Sequence, residues 1–506
     1  MSVDQIVEWL RRHAPDAQLS ADSRSITRGD VFFAYPGDAD GRRYIDDAIE
    51  RGAAAIVYDG TQFVIDAAIT IPTLAVVDLK QQAGAIANAW YQQPDAAMAV
   101  MAVTGTNGKT SCSQWLAAAW SRLAAPCAVI GTLGTGVVRQ GTVEPLIETG
   151  YTTPDPVLLQ RRLRSLHDAG ATALAIEASS IGLDQGRLRG MHIDTALWTN
   201  FSRDHLDYHG DMASYHAAKA QLFAWSGLKH AVINLDDASG MALLLRLQKD
   251  APGIALTGTT CTGLVMPGIA LISARDLRGT QLGTSFQLSV GNDSCLVKSR
   301  MVGGFNVSNL LGVIGVLLAH GFTLQPIVAA IEALSAVPGR MQQFGGDEAP
   351  LVVIDYAHTP DALEKTLATL RAVAQQRNGK LWCVFGCGGD RDAGKRPAMG
   401  TAAMAADAIV ITSDNPRSES PAVIIAQILA GIQGADASAP TPKIIEDRAA
   451  AILWAVRHAE RADVILLAGK GHETTQEISG KKMRFLDADH AALALATRAT
   501  SKGVHP

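Results

Sequence analysis

Residues 101–110 read MAVTGTNGKT, an apolar run that breaks into Thr-Gly-Thr-Asn-Gly-Lys-Thr. A strand that ends in this way and opens a helix wraps backbone amides around phosphate. The spacing departs from the commoner G-x-x-x-x-G-K-[ST] loop. Val103 stands where its first glycine would be, and Gly105 comes only three residues before Gly108. The parts the chemistry needs are still present. Gly105 and Gly108 let the backbone through Thr106 and Asn107 approach a ligand closely, Lys109 offers a cation to β- and γ-phosphates, and Thr110 offers a hydroxyl to Mg²⁺.

Outward from the loop, KTSCSQWLAAAWSRL (109–123) places Cys112, Trp115, Leu116, Ala119, Trp120 and Leu123 at helical spacing, which predicts a buried stripe. With AVMAVTG before it and CAVIGT after it, the pattern is strand–helix–strand, the unit of a doubly wound parallel sheet. That alternation runs from about 97 to 336. Residues 1–96 hold short strands (DVFFAY, AAIVY, TLAVV) and turns, a small α/β domain ending near Pro94. SAVPGRMQQ, around 337, marks a second boundary. Beyond it, four apolar runs end in polar clusters: LVVIDYAHTPD, LWCVFGCGGDRD, AIVITSDNPR and VILLAGKGHE. Parallel strands deliver their C-termini to one edge, where ligands bind, so 337–506 reads as a Rossmann-like domain with a functional edge. The expected architecture is three domains, 1–96, 97–336 and 337–506, all α/β.

Composition excludes some classes. The 506 residues are 48% hydrophobic and 18% charged, with a net charge of −5, so no basic field favours nucleic acid. The six cysteines include no C-x-x-C pair and read as reduced packing residues. MSVDQIVEWLRRHAPD lacks the basic-then-apolar order of a signal peptide, and LLGVIGVLLA (310–319) is about half of what a bilayer requires. A cytoplasmic protein with no membrane insertion is expected. Two more strand ends supply metal-binding types near the loop: Glu177 in ALAIEASS and His205 in ALWTNFSRDHLDYHG.

TGTNGKT, EASS, DHLDYHG, FNVSN, PGRMQ, DYAHTPDAL, GGDRDAGKRP, DNPR and GKGHE occur in the order seen in the Mur ligases of peptidoglycan synthesis, and over residues 20–490 the chain resembles that family. The resemblance implies an ATP-dependent amide ligase that works as a monomer. A substrate carboxylate attacks the γ-phosphate, and the resulting acyl phosphate is taken by an amine. It implies Lys109, Glu177, His205 and Lys219 as catalytic groups. Lys219 would carry CO₂ as a carbamate and, with Thr110, Glu177 and His205, hold two Mg²⁺. ATP would meet residues 105–110, Asn306, Asn309, Arg340 and Asp355. A UDP-N-acetylmuramoyl-L-Ala-D-Glu substrate would meet Ser23, the DADGR stretch (38–42, above all Asp40 and Gly41), Thr152, Thr153, Ser179, Gln185 and Arg187.

Within the family, SDNPRSE resembles the branch that adds meso-diaminopimelate, with Arg391, Asp414, Asn415, Pro416, Arg417, Gly469 and Glu473 around the amino acid. The physics agrees, because diaminopimelate carries one carboxylate more than lysine and an arginine fork binds a carboxylate bidentately. Three other readings remain open at this level: a lysine-adding ligase, a folylpolyglutamate synthetase-like ligase, and a P-loop ATPase with a partner-binding module. Two positions depart from the usual pattern, Ile181 after EASS and Tyr151 before the Thr-Thr pair.

Overall fold

Three large sheets form in sequence, each from apolar strands whose successive side chains feed opposite faces, and Thr475–Ile478 and Lys481–Arg484 pair in a small fourth. The computed structural model describes residues 1–37, 39–148, 150–280, 283–346, 348–432 and 440–502. The first sheet is parallel, with Leu19–Ser20, Val31–Ala34, Ala55–Asp59 and Thr73–Val76 in chain order. Val31 and Phe33 pack on one face with Ile6, Leu10 and Ile86 from two helices, while Phe32 and Ala34 pack on the other with Ile45.

The central sheet has eleven strands, and its middle is parallel. There Ala99–Thr104 lies between Thr195–Trp198 and Ala173–Glu177, with Thr104 opposite Trp198 and Val103 opposite Glu177. All three strands therefore stop at one level, and the loop, Glu177 and the segment after Trp198 emerge together. The sheet is not parallel throughout. Gly134–Arg139 runs antiparallel to Cys127–Gly131 at one end, and Gly283–Val290 and Asp293–Ser299 add antiparallel strands at the other. Tight turns join those strands, so no crossover helix announces them.

The helix Lys109–Leu123 is buried from Thr110 through Ser121, on its polar as well as its apolar side. Gly304–Ala319 and Leu324–Glu332 cover the face turned from the sheet, and Trp115 Nε1 donates to Ser335 O at 3.0 Å. The stripe predicted from spacing is buried, apart from Leu123, which is half-buried; the rest of the circumference is buried as well.

The third sheet has the order Gln342–Gly345, Leu351–Asp355, Val464–Ala468, Leu381–Phe385, Ala408–Ile411, Lys443–Ile444, and only its first pair is antiparallel. The four polar clusters thus leave one edge together. All six cysteines are free; four are buried, and Cys261 and Cys295 are half-buried. Among the described residues, no helix is long and apolar enough to cross a membrane.

Candidate active site at the seam of two sheets

A cleft of about 750 Å³ opens between the ends of the central and third sheets. The phosphate loop forms its floor. Gly105 (φ +144°) and Gly108 (φ +87°) hold conformations that disfavour a side chain, and a Cβ at Gly108 would sit 2.5 Å from Asn309 Oδ1. The neighbouring strand end fixes the loop between them. Asn107 N donates to Asn200 Oδ1 at 3.0 Å, and Thr199 Oγ1 donates to Asn107 O at 2.6 Å. Lys109 Nζ folds back onto Gly105 O (2.9 Å) and Thr106 O (2.8 Å), and burial holds its pKa below the ordinary lysine value. A cation so placed gains most when an anion enters.

Glu177 is wholly buried at its strand end, accepting from Thr110 Oγ1 (3.1 Å), Thr132 N (2.8 Å) and Thr132 Oγ1 (3.1 Å). Thr110 and Glu177 thus bring hard oxygens together beside the loop, which fits Mg²⁺, an ion that completes its shell with phosphate and water. Among the described residues no cluster of three or more His, Cys, Asp or Glu could hold a metal by itself. His205 (φ +52°) stands at the mouth of the same cleft; burial pushes its imidazole down to about 4. Lys219 is not a helix-surface lysine. It is 1% exposed, its Nζ donates to Gly105 O at 2.7 Å, and burial, then Lys109, holds it well below the usual lysine range.

The far wall comes from the third sheet. Arg340 NH2 lies 3.4 Å from Thr110 Oγ1, NH1 lies 3.4 Å from His472 Nδ1, and the guanidinium rests over Tyr356 at 4.4 Å. Asp355 is buried at its strand end and accepts from Met341 N at 2.9 Å; burial raises its pKa against the pull of Arg340. Asn306, Asn309 and Arg391 also line the cleft. Asp204, which the sequence reading passed over, sits 3.4 Å from His205 Nε2 and 3.9 Å from His358 Nε2, so it faces both sheets. Burial opposes its charge, yet His205, His358 and Lys395 hold its carboxyl below the usual range. Its position inside DHLDYHG was the available signal. Thr132, Thr199 and Asn200 had only the signal of polar residues just past strand ends.

On the near side, Thr152, Ser179, Gln185 and Arg187 line the cleft. Thr153 is buried beneath it, donating to Glu177 O at 2.9 Å. Arg187 grips Gln185 Oε1 (2.9 and 2.6 Å) and Thr153 O (2.8 Å), and stacks on Tyr151 at 4.8 Å. Ile181 also lines this side. Ser23 and Gly41 lie in short 3₁₀ turns between strands of the first sheet, Asp40 caps the second of these turns, and none of the three lines the cleft. Asp40 is engaged by the Arg42 guanidinium at 2.8–3.2 Å, and a Cβ on Gly41 would meet Tyr35 O at 2.9 Å. Asp38 of that loop lies outside the described residues.

Of the residues expected around an amino acid, Arg391 lines the cleft and Asp414, Asn415, Pro416, Arg417, Gly469 and Glu473 do not. Arg417 (φ +52°) donates through NH1 to Gly389 O at 2.6 Å, which ties DNPR to the loop bearing Arg391. Asn415 Nδ2 donates to Glu473 Oε2 at 2.6 Å. Asp414 is buried, its pKa raised by burial, and Gly469 (φ +107°) passes so close that a Cβ would sit 2.5 Å from Asp414 Oδ2. Pro416 O faces Gly389 in the same packing.

Comparison with known proteins bears on this geometry. Residues 17–91 match the "Mur ligase family, catalytic domain", 103–317 the "Mur ligase middle domain" and 339–471 the "Mur ligase, glutamate ligase domain". A UDP-N-acetylmuramoyl-L-alanyl-D-glutamate--2,6-diaminopimelate ligase of Janthinobacterium sp. (strain Marseille) is 63% identical over 494 residues, 97% of each chain. A solved structure of an enzyme with that name is 37% identical, covers 95% of each chain and has a TM-score of 0.66. The MurF ligase of Thermotoga maritima, solved in complex with ADP, shares the fold at 17% identity, with a TM-score of 0.62 over 96% of this chain and 98% of its own.

Proposed function

This chain belongs to the Mur ligase family, and from that premise we propose that it adds meso-2,6-diaminopimelate to UDP-N-acetylmuramoyl-L-alanyl-D-glutamate at the expense of ATP. The reaction is a carbon–nitrogen ligation of peptidoglycan precursor synthesis, carried out in the cytoplasm by a monomer. One observation carries the reading: a single cleft joins a phosphate loop to Arg391 on the edge of another sheet. An amine and an activated carboxylate must meet, and that seam is a place for them to do so.

The three sheets support a division at 96/97 and 336/337 into uridine-nucleotide-binding, ATP-binding and amino-acid-binding domains. In this reading the backbone of 105–110 cradles the triphosphate, and Lys109 counters charge on the transferring phosphoryl group. Asn306, Asn309, Arg340 and Asp355 hold the nucleoside side. Mg²⁺ supplies Lewis-acid neutralisation of phosphoryl oxygens; Thr110 and Glu177 would hold one ion, His205 and a Lys219 carbamate a second. The buried setting of Lys219 favours its neutral amine, the form that combines with CO₂, and a carbamate would replace an ammonium by an anion.

Ser23, Asp40, Gly41, Thr152, Thr153, Ser179, Gln185 and Arg187 position the muramoyl-dipeptide, whose carboxylate attacks the γ-phosphorus with ADP leaving. The diaminopimelate amine then attacks the acyl carbon, and the C–O bond breaks to release phosphate. Arg391 and Arg417 take its carboxylates, and Glu473 its ammonium, within the frame of Asp414, Asn415, Pro416 and Gly469. Lysine would leave Arg417 unpaired in a desolvated site, which disfavours the lysine-adding alternative. The bond order is tested with UDP-muramoyl-dipeptide labelled with ¹⁸O in its reacting carboxyl group. One label in each phosphate released is expected; unlabelled phosphate would overturn the acyl-phosphate route.

A further inference from the structure

Beneath the proposed amino-acid clamp lies a cation that the reading above leaves without a role. Lys470 is 0% exposed. It is flanked by Gly469 (φ +107°) and Gly471 (φ +54°), both in backbone conformations that favour glycine. Its ammonium meets three acceptors, one for each proton: Glu473 Oε2 at 2.9 Å, Thr475 O at 2.8 Å and Asn415 Oδ1 at 3.4 Å. The ring of Phe485 lies 6.0 Å from Nζ.

The pattern around it is directional. Glu473 Oε2 accepts from both Lys470 and Asn415 Nδ2. Asn415 Oδ1 accepts from Lys470 and from Glu477 N at 3.0 Å, which fixes which way its amide faces. One carboxylate oxygen of Glu473 is therefore committed inward twice, while 29% of the side chain stays exposed. Burying an ammonium costs several kcal/mol, and an apolar residue of similar volume often serves a fold as well or better. Stability alone is thus a weak reason for a lysine here, and orientation of the two residues it binds is a stronger one.

We infer that Lys470 is a positioning residue for substrate binding. It pins Glu473 Oε2 and the Asn415 amide so that the other oxygen of Glu473 faces the incoming ammonium of diaminopimelate. The inference rests on the proposed function and concerns only its amino-acid half.

The test is steady-state kinetics on the full chain with Mg·ATP, UDP-muramoyl-dipeptide and meso-diaminopimelate, comparing wild type, K470M, E473Q and the double variant. K470M should raise KM for diaminopimelate at least ~10-fold, the order expected when one partner of a buried charged pair is removed, while the other two KM values stay within about twofold. A merely structural lysine would lower the active fraction without splitting the KM values. K470M/E473Q should match E473Q alone, because both changes remove one contact. If K470M does not fold, the double variant, which leaves no unpaired charge between these two, decides by the same equality. An unchanged diaminopimelate KM in K470M, or losses that add in the double variant, would overturn the inference. A wild-type enzyme that incorporates no diaminopimelate would overturn the proposed function instead.

Discussion

Around the phosphate loop, position is set by backbone: two glycines at positive φ, a neighbouring strand end bonded to Asn107, and lysines folded onto carbonyls. Behind the far wall, in the third sheet's domain, it is set by charges that already pair with one another, with Glu473 held by Lys470 and Asn415, and Arg448 paired with Asp487 at 2.6–2.8 Å in full burial. The first kind of site waits for charge to arrive. The second has its charges balanced beforehand and admits a ligand by offering the few donors and acceptors left over. Mutations should therefore act differently on the two walls: loss of turnover at the first, loss of amino-acid recognition at the second.

The largest effect is expected from Lys109→Met, which removes the cation proposed to counter the phosphates without changing side-chain length much. Removing one such group costs about 10²- to 10³-fold in turnover, so kcat should fall by that factor in a coupled ADP assay. Arg417→Ala should be next, raising KM for diaminopimelate about 100-fold while nucleotide affinity, read by calorimetry, is kept. Equal damage to ATP binding would erase the contrast between the walls. Lys219→Ala should lower kcat about 10- to 100-fold, the range for groups that orient a metal, and wild-type activity should fall when CO₂ is stripped from the buffer. Full activity in both conditions would rule out a carbamate at Lys219.

The smallest effect concerns pH. Burial, then Arg340, depresses His472 to about 3, so its neutral ring accepts from Arg340 across the ordinary range. The unfolded ring takes a proton near pH 6.5 and the folded one does not, so stability present above that pH is lost as pH falls toward 3. His472→Gln should flatten the fall in melting temperature over that window. An identical slope would assign the acid sensitivity elsewhere.

How much of this was legible in sequence follows the same division. The loop is contiguous, so its chemistry could be read from TGTNGKT alone, and three strands ending level brought Glu177 and the segment bearing His205 to it. The antiparallel extensions of the central sheet were hidden, because a tight turn leaves no helix-length signal. Asp204 was hidden for another reason: its partners His205 and His358 are adjacent and remote in sequence, and only the seam brings all three together. Lys470 stood in plain view within GKGHE, yet nothing in that contiguous motif marked its side chain as fully buried. The burial of Lys219 was hidden in the same way, since only the fold packs the helix Met212–Ala220 so that this lysine is enclosed.

One cleft is proposed to spend ATP to join diaminopimelate to the muramoyl-dipeptide. Incubation with Mg·ATP, UDP-N-acetylmuramoyl-L-alanyl-D-glutamate and either meso-diaminopimelate or lysine, followed by mass spectrometry, tests it most directly. A nucleotide heavier by one diaminopimelyl residue, one ADP per product and little lysine adduct are expected. ATP turnover with no adduct, or lysine taken as readily as diaminopimelate, would contradict it.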